Sequence, residues 1–249
     1  MQATLKYSKS MMKEKVLVII PAFNEAASIV EVVTAIKKEY PAFDLLVIND
    51  GSADETGKLA KKTKLAYVIN LPYNMGIGAS VQTGFKFAKK YDYQIALQFD
   101  GDGQHLIAEI KTLIKPIIEG ESDCVIGSRF VQKALTYQPD SLRLLGIYIL
   151  RFFSFIFVGQ RIADQTSGFR AYNRKVIKFL AVHYPVDFPE PEVIILLGKN
   201  NFKMKEVFTQ MRERQGGISS IPAWKGPYYI IKVLLSMTMA TLRSKKVTN

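Results

Sequence analysis

Short apolar runs alternate with helical patterns through the first half of this chain, and that alternation constrains the fold most strongly. Apolar runs predict five strands, numbered in chain order: Val16–Ile20, Asp44–Ile48, Ala66–Asn70, Gln94–Gln98 and Asp123–Gly127. Between them, segments such as Leu106–Glu119 place apolar residues at helical spacing. Because strand and helix alternate, the sequence predicts an α/β fold with a mostly parallel central sheet and helices on both faces.

Polar motifs follow the ends of these predicted strands. Pro21–Glu25 follows the first strand, Asn49–Ser52 the second and Asp100–His105 the fourth, while Asn74–Gly78 leads into a helix. The carboxyl ends of parallel strands meet at one edge of a sheet, where ligands bind. We therefore expect the motifs to converge on one site.

An acidic pair, Asp100 and Asp102, stands where the fourth predicted strand ends. Paired carboxylates suit Mg²⁺ or Mn²⁺, which usually bring phosphate ligands with them. The alternative is an ordinary Asp/Gly turn. Glu25 and Asp50 would add carboxylates to the same edge, either as ligand contacts or as partners of helix N-termini. Asp50 is placed to accept the N–H of a base.

Arginines supply positive charge from separate segments. Guanidinium groups bind phosphate in a bidentate manner, although each arginine could equally form a surface ion pair. Arg212 and Arg214 lie beside Gly216 and Gly217, in a loop that could surround an anion. Arg129 and Arg170 follow a predicted strand and a polar turn, respectively.

Several function classes are excluded or disfavoured. The G-x-G-x-x-G and G-x-x-x-x-G-K-[ST] patterns are absent, which argues against a Rossmann dehydrogenase and a P-loop ATPase. The single cysteine favours a reducing compartment, and two histidines exclude a histidine-rich metal site. A net charge of +12 favours anionic partners, but no nucleic-acid motif accompanies it.

Three regions are predicted along the chain. Residues 1–14 form a flexible basic arm, residues 15–221 the α/β domain, and residues 222–249 a C-terminal amphipathic helix and tail. Ser141–Val158 and Pro227–Arg243 combine apolar bulk with Lys or Arg, which is the composition of helices lying in a membrane interface. The alternative is that both segments simply pack on the domain.

Taken in order, these motifs resemble the inverting GT-A glycosyltransferases of glycosyltransferase family 2. The chain is most similar to the subgroup of dolichyl- or polyprenyl-phosphate sugar synthases. The likeness rests on Pro21-Ala22-Phe23-Asn24-Glu25, Asn49-Asp50-Gly51-Ser52, Asn74-Met75-Gly76 and Asp100-Gly101-Asp102-Gly103-Gln104-His105. Arg129, Asp164 with Ser167–Arg170, and the Arg212–Ser220 loop extend it, so that it covers about residues 15–220.

The resemblance implies roles for individual residues. A divalent cation, Mg²⁺ or Mn²⁺, would be bound by Asp100 and Asp102. The nucleotide-sugar would be contacted by Pro21, Ala22, Phe23, Glu25, Asp50, Gly76, Asp100, Gly101 and Asp102. The candidate catalytic residues are Asp102, Gln104, Glu190 and Glu192. The acceptor or its phosphate would be contacted by Arg129, Asp164, Ser167, Arg170, Arg212, Arg214 and Ser219.

The expected function is inverting transfer of a sugar from a UDP- or GDP-linked donor to polyprenyl (undecaprenyl-type) phosphate. The enzyme would be peripheral on the cytoplasmic face of the membrane, bound to anionic lipid or to a small membrane partner protein, and would serve cell-wall or surface glycan synthesis. One alternative is a family 2 enzyme that extends a glycan at a sugar hydroxyl. A nucleotidyltransferase is disfavoured because Ala22–Ala26 replaces the expected basic glycine-rich loop.

Two features depart from the family pattern. Ala22 and Phe23 stand where a tyrosine is common, and the long C-terminal membrane spans of many relatives are missing. The sequence leaves the oligomeric state open.

Overall fold

The described part of the chain in the computed structural model comprises residues 14–131, 148–149, 151–152, 154–156, 158–160, 162–211 and 226–243. The basic arm before residue 14 lies outside it, as do most of Ser141–Val158 and the boundary predicted between residues 221 and 222. The candidate acceptor residues Arg212, Arg214 and Ser219 also lie outside the described residues, so their roles stay predictions.

Seven strands form one sheet in the order β3-β2-β1-β4-β6-β5-β7. The strands are β1 (Val16–Ala22), β2 (Asp44–Asn49), β3 (Tyr67–Asn70), β4 (Ile95–Gln98), β5 (Cys124–Ser128), β6 (Arg170–Asn173) and β7 (Met204–Phe208). The helices are α1 (Ile29–Glu39), α2 (Thr56–Lys62), α3 (Ile77–Lys90), α4 (Ile110–Ile118), α5 (Arg174–His183), α6 (Pro189–Lys199) and α7 (Gly226–Arg243). A short 3₁₀ turn, Ile107–Glu109, precedes α4. Among the strands of the described residues, only β6 runs antiparallel to its neighbours, so the predicted mostly parallel sheet is confirmed.

The central strand β1 is buried on both faces, which explains its unbroken apolar sequence. Successive side chains point to opposite faces of a strand. Val18 therefore packs in the layer that contains α1 and α4, and Ile19 packs in the layer that contains α3 and α5. Helices cover both faces of the sheet, as the alternating pattern predicted.

Two elements of the fold, β6 and α5, are not predicted by the sequence pattern. The polar segment interpreted as a turn, Asp164–Arg170, runs directly into the four-residue strand β6. Arg170 and Asn173 at its ends hide any apolar pattern, and its partners β4 and β5 precede it by many residues. Only long-range pairing identifies this segment as a strand.

The C-terminal helix α7 packs on α6 through one face. Val233 and Met237 are fully buried beside Ile195, whereas Leu235 is 58% exposed and Met239 is 47% exposed. Among the described residues, no helix combines the length and hydropathy needed to cross a membrane. The packing alternative therefore holds for one face of α7, and the other face remains open to a further contact.

Candidate active site

A cavity of about 940 Å³ opens at the carboxyl ends of β1, β2 and β4, beside the N-termini of α3 and α6. Every residue predicted to contact the nucleotide-sugar lines it, which confirms the expected convergence of the strand-end motifs. The lining residues are Pro21, Ala22, Phe23, Asn24, Glu25, Asp50, Asn74, Gly76, Ile77, Ser80, Asp100, Gly101, Asp102, Thr166, Gly168 and Glu190.

Asp50 organises the loop that precedes α3. Its Oδ1 accepts the N–H of Met75 at 2.8 Å, and its Oδ2 accepts the N–H of Gly76 at 2.9 Å. Gly76 has a φ of 87°, which favours glycine at that position. A carboxylate oxygen has two lone pairs, so each oxygen keeps an acceptor site for a ligand. The predicted contact of Asp50 with a base fits this geometry and stays a prediction.

The first two motifs are joined by their side chains. Asn24 donates its backbone N–H to Ser52 Oγ at 2.9 Å and accepts the N–H of Ala53 at 2.9 Å. Asp54 accepts the N–H of Ala26 at 3.1 Å and that of Thr56 at 2.9 Å. Burial opposes ionisation of Asp54, but the hydrogen bonds from Thr56 and Ala26 lower its pKa. The two strand ends are therefore fixed relative to each other at the cavity rim.

The acidic pair is held by backbone contacts around Gly101. The Gly101 carbonyl accepts the hydroxyl of Ser28 at 2.7 Å. Asp102 is buried and its Oδ1 accepts the N–H of Gln104 at 3.0 Å, while Asp100 is one-third exposed towards the cavity. The predicted catalytic role of Gln104 stays a prediction.

The two carboxylates fit a divalent cation whose remaining ligands would come from the nucleotide-sugar. In the part of the chain that the structure describes, no group of three or more His, Cys, Asp or Glu side chains is gathered for a metal. Asp100 and Asp102 would supply two hard oxygen ligands to Mg²⁺ or Mn²⁺, with the remaining ligands coming from substrate phosphates and water. Their role in metal binding stays a prediction.

His105, the last residue of the acidic motif, orients Asp100. Its Nε2 lies 3.0 Å from Asp100 Oδ2. The ring is buried, stacked on Phe169 at 4.6 Å and packed edgewise against Phe99. The buried imidazole therefore holds one of the two carboxylates in place.

Among the residues predicted to bind the acceptor, Asp164 holds Arg129 in a bidentate ion pair. Nε and Nη2 of Arg129 donate to Asp164 at 2.7 Å and 2.8 Å, and Nη2 also donates to Thr166 at 3.1 Å. Asp164 is fully buried, whereas Thr166 lines the cavity. The guanidinium thus has a fixed orientation beside the cavity. Contact of Arg129 with a phosphate stays a prediction.

Arg170 has a different role from the predicted one. It is only 1% exposed and donates to three backbone carbonyls, those of Ser167 at 2.7 Å, Glu190 at 2.8 Å and Gln165 at 3.0 Å. A direct contact with an acceptor phosphate is incompatible with this burial, so that prediction is wrong. Arg170 instead ties the 165–167 turn to the N-terminus of α6. Ser167 is likewise buried within this turn, where its Oγ accepts the N–H of Phe169.

The two glutamates at the start of α6 lie in different surroundings. Glu190 lines the cavity, and burial raises its pKa although the charge of Arg170 opposes the shift. Glu192 accepts the N–H of Phe188 at 3.0 Å and the hydroxyl of Ser236 on α7. Glu192 does not line the cavity, and its contact with Phe188 fits the alternative role at a helix terminus, so its catalytic role stays a prediction.

Replacing Glu192 with Ala is expected to lower the free energy of unfolding by about 1 kcal/mol, the usual effect of losing a helix-terminal acceptor. Turnover at saturating substrates should stay near that of the wild type. Urea unfolding and initial rates measure the two effects. Glu119→Ala, which removes only an exposed i,i+4 pair with Lys115, is the matched control. A large loss of turnover at unchanged stability would instead support a catalytic role for Glu192.

Several lining residues were not predicted as site residues. Four of them lie inside the sequence motifs, and membership of a motif is the signal that marks them: Asn24, Asn74, Thr166 and Gly168. Ser80 has no such signal, because it reaches the cavity only through the packing of α3 against the sheet.

Comparison with solved structures defines the class of fold. The chain superposes with a TM-score of 0.73 on glucosyl-3-phosphoglycerate synthase from Mycobacterium tuberculosis, solved in complex with Mn²⁺, UDP-glucose and phosphoglyceric acid. The two chains are 17% identical, and the match covers 96% of this chain and 84% of the other. The fold is thus the GT-A fold, as the sequence predicted.

Sequence comparison then gives the family. Residues 17–180 match the family described as Glycosyl transferase family 2, and the chain belongs to this family of glycosyltransferases. Polyprenol monophosphomannose synthase from Mycolicibacterium smegmatis is 28% identical, over 84% of this chain and 81% of that protein. UDP-N-acetylglucosamine–dolichyl-phosphate N-acetylglucosaminyltransferase from Methanococcus voltae is 29% identical, over 77% of this chain and 83% of that protein. These relatives belong to the subgroup that the sequence motifs resembled.

Proposed function

We propose that this enzyme transfers a sugar from a UDP- or GDP-linked donor to polyprenyl phosphate, with inversion at the anomeric carbon. The observation that carries the proposal is the fixed guanidinium of Arg129, held beside the acidic donor cavity through Asp164 and Thr166. The names of the two relatives, a polyprenol-phosphate and a dolichyl-phosphate enzyme, support the same acceptor class.

On the donor side, the strand-end residues would bind the nucleotide-sugar and hold the cation that neutralises its diphosphate. Asp50 and the loop that it holds would receive the base, and Asp100 and Asp102 would hold a divalent cation. When bound, such a cation neutralises the charge that develops on the departing diphosphate. His105 keeps Asp100 in place, so the cavity is organised before the donor arrives.

On the acceptor side, the proposal requires placement rather than proton removal. A phosphate monoester has a second pKa near ~6, so its attacking oxygen is already largely deprotonated at neutral pH. Arg129 would orient it towards the sugar. Burial disfavours the charged form of Glu190, which reduces repulsion of an incoming phosphate.

A second candidate function is supported by Glu190 itself. A cavity-lining carboxylate with a raised pKa is what a sugar-hydroxyl acceptor would need as its base. Transfer to a glycan hydroxyl therefore remains the alternative that experiments must distinguish.

The direct test of the function is a panel of radiolabelled nucleotide-sugars incubated with polyprenyl phosphate and Mn²⁺ or Mg²⁺. We expect one sugar to become extractable into organic solvent in a product that mild acid cleaves. Label that appears only in a water-soluble glycan, when oligosaccharides are added, would contradict the lipid-phosphate proposal and support the alternative.

The proposal places the enzyme on the cytoplasmic face of the membrane, as a peripheral protein. Two segments that pack against α6 present exposed apolar side chains: Phe152 and Ile156 precede Val158, and Leu235 and Met239 belong to α7. Aromatic and aliphatic side chains beside basic residues suit the membrane interface. These exposed side chains would bring the active site to its lipid acceptor.

Replacing Leu235 and Met239 with Gln is expected to lower binding to anionic vesicles by roughly tenfold, since each exposed side chain would lose its burial in lipid. The fold should persist, because the buried face of α7 is untouched. Vesicle co-sedimentation measures the effect, and Val182→Gln on exposed α5 surface is the control. Equal binding of all variants would place the anchor elsewhere, in the segment around Phe152 or in a membrane partner protein.

A further inference from the structure

Glu206 lies in the edge strand β7, opposite Ile126 of β5, and its carboxylate accepts two backbone N–H groups. Oε2 accepts the N–H of Ala163 at 2.7 Å, and Oε1 accepts the N–H of Asp164 at 2.8 Å. Both of these residues are buried outside any strand or helix, so their N–H groups need acceptors. A carboxylate provides two acceptors at the spacing of consecutive N–H groups.

The residue fixed in this way is the one that holds Arg129. Both carboxylate oxygens of Asp164 receive Arg129 side-chain donors, and Oδ2 also accepts the backbone N–H of Arg129 at 3.2 Å. The position of the Asp164 backbone therefore sets the direction of the guanidinium. Glu206, Asp164 and Arg129 form a continuous series of contacts from the edge strand to the cavity wall at Thr166.

We propose that Glu206 is a positioning residue of the acceptor site, which acts on Arg129 through Asp164. The inference rests on the proposed function, in which Arg129 contacts the acceptor phosphate. It assigns a role in substrate binding to a charged residue that the sequence motifs do not include and that lies outside the cavity.

The first test compares Glu206→Gln with the wild type in steady-state kinetics. Gln retains one acceptor oxygen but turns an NH₂ group towards the second backbone N–H. We expect the acceptor KM to rise about tenfold, as when a buried donor loses its acceptor, while the KM for the nucleotide-sugar stays unchanged. Glu121→Gln, which removes only an exposed ion pair with Lys205 of the same strand, should leave both constants unchanged.

A purely structural role for Glu206 predicts a different pattern. It would lower the thermal midpoint and affect both KM values or the fraction of active enzyme alike. A double-mutant cycle with Asp164→Asn separates the two cases. If Glu206 acts through Asp164, the double variant should have the same acceptor KM as Asp164→Asn alone. Additive effects, or an unchanged acceptor KM in Glu206→Gln, would overturn the proposal.

A second measurement tests the effect of Glu206 on Arg129 in the absence of any acceptor substrate. The Nε–H signal of Arg129 in ¹⁵N spectra is assigned by its loss in Arg129→Lys. In the wild type this N–H should exchange slowly with solvent, because it donates to Asp164. The same signal should exchange faster in Glu206→Gln and stay protected in Glu121→Gln. If the wild type makes no lipid product, the proposed function fails while this result still decides the role of Glu206. Unchanged protection in Glu206→Gln would reject that role.

Discussion

Asp102→Asn is expected to lower turnover by roughly 10²–10³-fold while the protein remains folded. Asp102 is buried at the cavity edge and its Oδ1 accepts the N–H of Gln104, a bond that an Asn side-chain oxygen can keep. The variant therefore loses the negative charge and one hard oxygen ligand but little local structure. Initial rates at saturating Mn²⁺ or Mg²⁺, together with the thermal midpoint, measure the two effects separately.

The matched control is Asp92→Asn, which alters an exposed ion pair with Arg174 far from the cavity. Exposed pairs contribute little to stability, so this variant should behave like the wild type. A chelator should abolish wild-type turnover, and added Mn²⁺ or Mg²⁺ should restore it. Full wild-type activity in excess chelator would remove the metal role of Asp100 and Asp102.

The donor half of the site could be predicted from sequence because its signals are local. β1, β2 and β4 are each followed at once by a polar motif, and parallel pairing brings these strand ends to one edge. Asp50, Asp100 and Asp102 could therefore be placed at one cavity without knowledge of any distance. The role of Asp50 in holding the loop before α3 was not predictable, because its contacts with Met75 and Gly76 join residues from different motifs.

The acceptor half was harder to predict because it depends on contacts between distant segments. Arg170 has the residue type of a phosphate ligand, but the antiparallel insertion of β6 buries it beneath the cavity wall. Glu192 has the residue type of a base, but its partners are Phe188 and a serine of α7. Glu206 belongs to no motif, and nothing in the sequence marks its carboxylate as the acceptor for the backbone of Ala163 and Asp164.

Arg129→Ala is expected to lower kcat/KM for the lipid phosphate by about 10²-fold or more, as truncation of one partner of a buried charge pair usually does. Arg129→Lys should recover little, because an ammonium group cannot reproduce the two-point contact with Asp164. The KM for the nucleotide-sugar should change much less. Equal losses for both substrates would show that Arg129 supports the fold rather than the acceptor.

Glu190→Gln, by contrast, is expected to lose only a few-fold in rate, because a phosphate acceptor brings its own deprotonated oxygen. The wild type and this variant should share one pH profile, in which the rate falls as pH drops through ~6 and the acceptor gains a proton. If Glu190 were the base for a hydroxyl acceptor, removing it would cost roughly 10²–10⁴-fold. The acid limb of the wild-type profile would then follow the raised pKa of Glu190 and disappear in the variant. That result, together with near-normal turnover of Arg129→Ala, would show that the acceptor is a sugar hydroxyl and not a lipid phosphate.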